Sequence, residues 1–328
     1  MTTHPRRPRV APAAERRRVP LHYLVESAAR VAFAYLRNQH GLRDRRPLPR
    51  FLARTARFLV AGRRQPFIEA EMSGLRVLLP TADRTIARSV FASGDWDPLL
   101  VGTALEALDE FRHDVRGTVF LEIGANFGVY ALPAVAEMGF ASAVAYEPDP
   151  ASFALLEANI ERNGLAGRVQ AVNAALSDRP GELTLSRSPT NAGDNRIVAE
   201  SDAQLGSTGS VKVRAATFDA EVEAGIIPLC DVGLVWLDVQ GHESQVLSGA
   251  TTLLESDVPV VLEYSSRMMG ADDRPVLDEL IADCYDVLVD LGWSALTNRV
   301  RFQPAAAIRS LVRRGQALET DLLLLKNP

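Results

Sequence analysis

The stretch Phe120-Leu121-Glu122-Ile123-Gly124-Ala125-Asn126-Phe127-Gly128 decides the fold. An apolar run that ends on spaced glycines predicts a buried strand over 118–123, a sharp turn, and a helix over 128–138. Gly124 and Gly128 let the main chain turn and let a ligand approach it closely. Polar groups of that ligand would face the N–H donors that open the helix. The next predicted strand, 142–146, runs into Tyr146-Glu147-Pro148 and sets Glu147 23 positions after Gly124. An acid about 20 positions beyond a glycine turn suits the two hydroxyls of a ribose.

Outward from this stretch, short apolar segments alternate with helical ones. Downstream the spacing predicts a helix over 150–163, a strand over 169–174 and extended pieces at 182–186 and 211–216. A strand follows at 232–237, then a helix at 243–254, a strand at 258–262, a helix at 275–291, and strands at 294–296 and 321–325. Such alternation implies a doubly wound, mostly parallel α/β sheet covered by helices on both faces. Upstream, helices are expected at 21–38, 50–60 and 97–111, with strands at 67–72 and 74–79. The expected division is a basic segment 1–18 too polar to build a core, an N-terminal helical and strand cap 19–94, and a catalytic domain 95–328. The polar stretch 189–210 is expected to be either disordered or a substrate loop.

The net charge of −5 hides an asymmetry, because residues 1–64 hold sixteen Arg against three acids, a local +13 that leaves −18 for the rest. A basic segment of this kind can touch anionic membrane surfaces or nucleic acid. Without an aromatic and basic recognition motif the favoured reading is a set of solvated helix faces, with at most weak membrane contact and no nucleic acid expected. The most apolar early stretch, 19–36, is interrupted by His22, Glu26 and Arg30, so it does not span a bilayer. Nothing in 1–18 resembles a secretory signal, and Cys230 and Cys284 are too few for a disulfide scaffold. The expectation is a cytoplasmic protein without a metal, since no His/Asp cluster has ligand spacing.

Two details choose the cofactor. The glycines follow G-x-x-x-G and not the G-x-G-x-x-G spacing that admits a pyrophosphate. Glu122 would repel a pyrophosphate yet suits the ammonium of a methionine moiety. S-adenosylmethionine is therefore expected. The alternatives are a nicotinamide-dependent oxidoreductase, or a non-catalytic protein of the same fold that docks a partner through basic N-terminal helices.

The run from Phe120 to Tyr130 is followed by Tyr146-Glu147-Pro148-Asp149-Pro150, Leu156-Glu157-Ala158-Asn159, Ala175-Leu176-Ser177-Asp178 with Gly181, and Ala216-Thr217-Phe218-Asp219. Then come Leu237-Asp238-Val239-Gln240-Gly241-His242-Glu243, Val246-Leu247-Ser248-Gly249-Ala250 and Val261-Leu262-Glu263. In this order, over about residues 95–264, the chain resembles the FkbM-type methyltransferases. The resemblance implies a class I, Rossmann-like sheet of seven strands, the seventh antiparallel and near the C-terminus. It also implies O-methylation of a sugar, glycan or secondary metabolite. Carried over by motif, Glu122, Gly124, Asn126 and Gly128 would line the methionine end of the cofactor, Glu147 the ribose, and Ser177 with Asp178 the adenine. Two positions depart from the family's pattern. Glu122 stands where many members have aspartate. Gln240 stands where they have a carboxylate, which puts a catalytic role for that position in doubt.

Methyl transfer to an alcohol needs the acceptor oxygen held in line and a base for its proton. Doubly wound sheets place such groups at the C-terminal ends of strands. Asp238 closes the apolar strand 232–237, His242 and Glu243 open the next helix, and Glu263 closes the strand after it. Asp238, His242 and Glu243 are the candidate catalytic residues, with Asp238 and His242 both expected to face the methyl group. Glu263 and the loop residues Asp194, Asn195 and Arg196 are candidates for acceptor binding. Trp96 is expected either to close over the cofactor or simply to pack.

Overall fold

The computed structural model describes residues 48–199, 209–311 and 319–327. The basic segment 1–18 and the helix expected at 21–38 lie outside them. The helix Leu48–Ala61 leads into an antiparallel hairpin of β1 (Phe67–Met72) and β2 (Leu75–Pro80). The helices Ile86–Ser93 and Pro98–Glu110 follow. Then come β3 (Val119–Ile123), β4 (Ser142–Tyr146) and β5 (Val169–Val172), with the helices Ala131–Ala136 and Pro150–Arg162 between them.

Four short strands come next: β6 (Ala175–Leu176), β7 (Gly181–Ser186), β8 (Arg196–Val198) and β9 (Ser210–Ala216), which form a separate sheet in the order β6-β9-β7-β8. The remaining strands are β10 (Val232–Leu237), β11 (Val260–Ser265), β12 (Val287–Asp290), β13 (Phe302–Pro304) and β14 (Glu319–Leu325). The main sheet runs β13-β12-β14-β11-β10-β3-β4-β5. It has eight strands where seven were expected, because β13 adds an edge antiparallel to β12. β14 lies antiparallel between β11 and β12, as the resemblance implied for the strand near the C-terminus. The order reverses between β3 and β10, and the crevice beyond their C-terminal ends is where such sheets bind ligands.

Every residue of β3 and β10 is buried, as befits parallel strands covered on both faces. Alternate side chains feed two cores. Phe120, Leu234 and Trp236 point to one face, and Leu121, Val235 and Leu237 to the other. Each fully buried side chain of this size contributes about 1.5–3 kcal/mol. The first core also takes in Phe58, Val77, Leu79 and Phe91, so it is continuous across residue 94. Asn159 stitches the hairpin to the sheet: its Oδ1 accepts the Leu78 N–H at 2.7 Å and its Nδ2 donates to the Phe127 carbonyl at 3.0 Å.

Four local expectations change. The expected helix 275–291 is a helix, Asp273–Cys284, followed by β12, whose apolar residues had continued the helical spacing. The expected strand 294–296 lies in the helix Leu291–Thr297, which Asp290 caps by accepting the Trp293 N–H at 2.9 Å. The helix expected over 243–254 is two pieces, Glu243–Ser248 and Thr251–Glu255. The polar stretch 189–210 forms a 3₁₀ turn at Ala192–Asp194 and then β8, while its residues 200–208 lie outside the described ones.

Candidate active site

A cleft of about 740 Å3 opens at the ends of β3, β4 and β10. Its floor includes Gly124, Asn126, Glu147, Asp238 and Gln240, and its roof Asn195, Arg196 and Trp96. The floor rests on a close approach of two strand ends. Gly124 has φ +95°, and a Cβ there would lie 1.9 Å from the Asp238 carbonyl oxygen. The glycine therefore admits β10's end, where a ligand had been expected to come close. Gly128 lies below the cleft, its missing Cβ replaced by Leu132 and Leu156.

Glu147 is buried and tied to the main chain. Its Oε2 accepts the Asn126 N–H at 2.7 Å and its Oε1 the Asp149 N–H at 2.8 Å. Burial nevertheless pushes its carboxyl up to about 8, against the lowering effect of those bonds. Glu122 is buried beneath the cleft, and its Oε2 accepts the Ala131 N–H at 2.7 Å. The helix N-terminus expected to greet a ligand is thus filled by the protein's own acid. Glu122 Oε1 and Asn126 Oδ1 remain buried acceptors without a hydrogen-bond partner. Burial also holds Glu122 well above the usual carboxylate range, with the charges of Asp238 and Glu147 adding to the rise.

The opposite wall is made of side chains. Asp238 follows the last residue of β10, while Glu263, expected to close its strand, lies inside β11, which runs on to Ser265. The register of the two parallel strands pairs Leu237 with Leu262 and so sets these acids side by side. Gln240 donates through Nε2 to Asp238 Oδ1 at 2.7 Å and to Glu263 Oε2 at 2.5 Å. Burial raises the Asp238 carboxyl. Burial, with the charge of Asp238 next, pushes Glu263 up to about 10. Glu263 does not line this cleft; it lines a second cavity with Asp97, Thr320 and Asp321 and is joined to the cleft wall through Gln240.

Glu243 is buried behind this wall. Its Oε1 accepts the N–H groups of Val239 at 3.3 Å and Gly241 at 3.2 Å, which braces the loop carrying Gln240. His242 lines the cleft but turns to Ser177, with Nε2 2.9 Å from Oγ, and Ser177 Oγ donates to Asp178 at 3.1 Å. Desolvation lowers the imidazole to about 4, so it is neutral at neutral pH. Ser177 is buried and Asp178 exposed; neither lines the cleft itself.

The roof is strapped down. Asp149 Oδ2 accepts Asn195 Nδ2 at 3.1 Å, its Oδ1 accepts Arg187 Nε at 3.0 Å, and Asp83 Oδ2 accepts the Ala192 N–H at 2.8 Å. Asn195 is therefore tied to the protein, while Asp194 and Arg196 are exposed. Trp96 donates to the Tyr130 hydroxyl at 3.0 Å, and Tyr130 stacks on Trp236 with centroids 4.4 Å apart. Tyr130, Gln240 and Asp97 were not picked as site residues. Only Gln240 carried a signal, its departure from the family's pattern.

The sequence pattern of the Methyltransferase FkbM domain matches residues 122–292, the segment that carries both walls of the cleft. The chain belongs to the FkbM methyltransferase family. Among similar proteins, Hexuronic acid methyltransferase AglP of Haloferax volcanii is 30% identical over 172 residues, 52% of this chain and 65% of that protein. The 31-O-demethyl-FK506 methyltransferase FkbM of Streptomyces tacrolimicus is 27% identical over 197 residues, 52% of this chain and 73% of that protein. The 2-O-methyltransferase NoeI of Sinorhizobium fredii is 25% identical over 167 residues, 48% and 68% of the two chains. The match to AglP thus spans just under two thirds of that relative. No helix among the described residues is long and apolar enough to cross a membrane.

Proposed function

We propose that this methyltransferase uses S-adenosylmethionine to methylate a hydroxyl of a sugar, glycan or secondary metabolite. The observation that carries the reading is the acidic lining of the cleft, whose buried carboxyls hold protons by themselves and would ionise against a cation. Glu147 and Asp238 line it, Glu122 lies beneath it, and Asn126 contributes a buried amide oxygen without a partner. Such a lining favours a ligand with a sulfonium, an ammonium and ribose hydroxyls over one with a pyrophosphate. Asn126, with Glu122 beneath it, would hold the methionine end, Glu147 the ribose, and His242, oriented by Ser177, the adenine. Neutral His242 is suited to a hydrogen bond there, 2.9 Å from Ser177. When bound, the cofactor would supply a methyl group on cationic sulfur, and Asp238 would take the proton of the acceptor hydroxyl.

The acceptor would approach from the cavity shared by Glu263, Asp97, Thr320 and Asp321, and the basic N-terminal segment would add at most weak contact with an anionic membrane. Two of the similar proteins are named for O-methylation, which supports oxygen as the acceptor atom. Calorimetry tests the reading. S-adenosylmethionine and S-adenosylhomocysteine should both bind, and NAD should not; NAD binding alone would overturn it. With labelled cofactor, an acceptor in cell extract should then gain the mass of one methyl group.

A further inference from the structure

One amide holds two acids at the end of the sheet. Gln240 reaches Asp238 at 2.7 Å and Glu263 at 2.5 Å through a single nitrogen, whose two hydrogens serve one carboxyl each. The backbone is bent to allow this. Gln240 sits at φ +55°, a left-handed conformation that a residue with a side chain adopts only under restraint. The restraints are visible on both sides. Glu243 Oε1 accepts the flanking N–H groups of Val239 and Gly241. A Cβ on Gly241 would meet the Met268 carbonyl oxygen at 2.5 Å.

We propose that Gln240 is a positioning residue, which holds Asp238 and Glu263 as an acid–carboxylate pair carrying one proton and leaves Asp238 as the sole base for the acceptor hydroxyl. Two adjacent carboxylates in a desolvated site do not both ionise, so one keeps a proton and hydrogen-bonds the other. Glu263 is the protonated member: burial and the charge of Asp238 push it up to about 10, while the Gln240 amide at 2.7 Å favours the ionised form of Asp238. The amide can donate to both members but accepts nothing from them through that nitrogen. It thereby favours charge on Asp238 without supplying a competing base. A carboxylate at position 240 would instead add a third acid to the pair. The other charges that bear on it are Glu122 from β3, Glu147 from β4, Glu243 behind the loop, Asp194 from the roof and Asp321 from β14, all acidic. Arg196 is the cation that lines the same cleft.

The proposal rests on reading the cleft as a methyl-transfer site, and its test separates the two. In the full chain, 13C-labelled carboxyls of Asp and Glu are titrated by NMR, with Asp238 assigned by loss of its signal in Asp238→Asn and Glu263 by loss in Glu263→Gln. In the unaltered protein, Glu263 should titrate far above the ordinary glutamate range. Gln240→Met should move the Asp238 titration up by about one pH unit or more, and Gln240→Glu should move it further. Once an acceptor is in hand, the acid limb of the pH–rate profile should shift with it, while S-adenosylmethionine affinity at high pH stays as it was. Glu263 titrating in the ordinary carboxylate range would overturn the proposal. So would an Asp238 titration unmoved in both variants. If Gln240→Met fails to fold, the nearly isosteric Gln240→Glu carries the test. Failure of S-adenosylmethionine and S-adenosylhomocysteine to bind the unaltered protein would sink the function assigned to the cleft and leave the titration readable.

Discussion

On the β3–β4 side of the cleft, Glu147 is held by two main-chain N–H groups. On the β10–β11 side, Asp238 and Glu263 are held by one side-chain amide. The first arrangement comes with the turn itself, whatever occupies the cleft. The second exists only where three side chains from two strand ends and one loop converge, and its charge depends on where a proton sits. Under the proposed function the β3–β4 side would serve binding and the β10–β11 side proton transfer, and each assignment can be broken separately.

The largest effect is expected at Asp238. Asp238→Asn should reduce turnover roughly a hundred- to ten-thousand-fold, the span of a lost proton-transfer contribution, and should weaken cofactor binding far less. Single-turnover rates beside calorimetric affinities check this, and near-normal turnover would erase the distinction between the sides. Next is Gly124→Ala, at the joint of the two. Its Cβ would fall 1.9 Å from the Asp238 carbonyl at φ +95°, so the variant should lose about 3–4 kcal/mol of stability in denaturant titrations. Unchanged stability would mean that the strand ends are further apart than described.

Glu147→Ala should leave the fold intact and weaken S-adenosylmethionine by about 1.5–3 kcal/mol, the range for a hydrogen bond to a charged group. An unchanged affinity would remove Glu147 from the ribose site. The smallest effect is on melting temperature. Burial raises Glu147 to about 8, Glu243 to about 7 and Glu263 to about 10, from an unfolded value near 4.5. Between about pH 4.5 and each raised value the folded state binds more protons than the unfolded one, so stability is fullest below that window and falls as pH rises through it. The ligand-free protein should melt a few degrees lower at pH 9 than at pH 6. A melting temperature that climbs over this range would contradict the protonated acids.

The same contrast explains what the sequence made legible. The Gly124–Glu147 spacing, the fully apolar β10 and the order of motifs pointed to the sheet and its crevice, because local spacing dictates turn, strand and register. Asp238 was found because it ends a strand. The role of Gln240 was not, since the convergence of 238, 240 and 263 depends on β10 and β11 lying side by side. Glu122 and Gly128 were placed in the cleft because motif position does not say whether a side chain lies in a floor or beneath it. β12 was missed because its three apolar residues, Val287, Leu288 and Val289, follow a helix and keep its period until Asp290 starts another.

Asp149 has a consequence for how the cleft opens. Its side chain accepts the Ala151 N–H that starts the helix Pro150–Arg162, and it also fastens Arg187 and Asn195 of the roof. Its own N–H is one of the two that grip Glu147. Roof and Glu147 therefore share one anchor: the residue that fastens the strap also caps the helix with its other carboxylate oxygen and grips Glu147 with its own N–H. Under the proposed function, entry of the cofactor and the state of its seat would be linked through two residues that lie two apart in the chain.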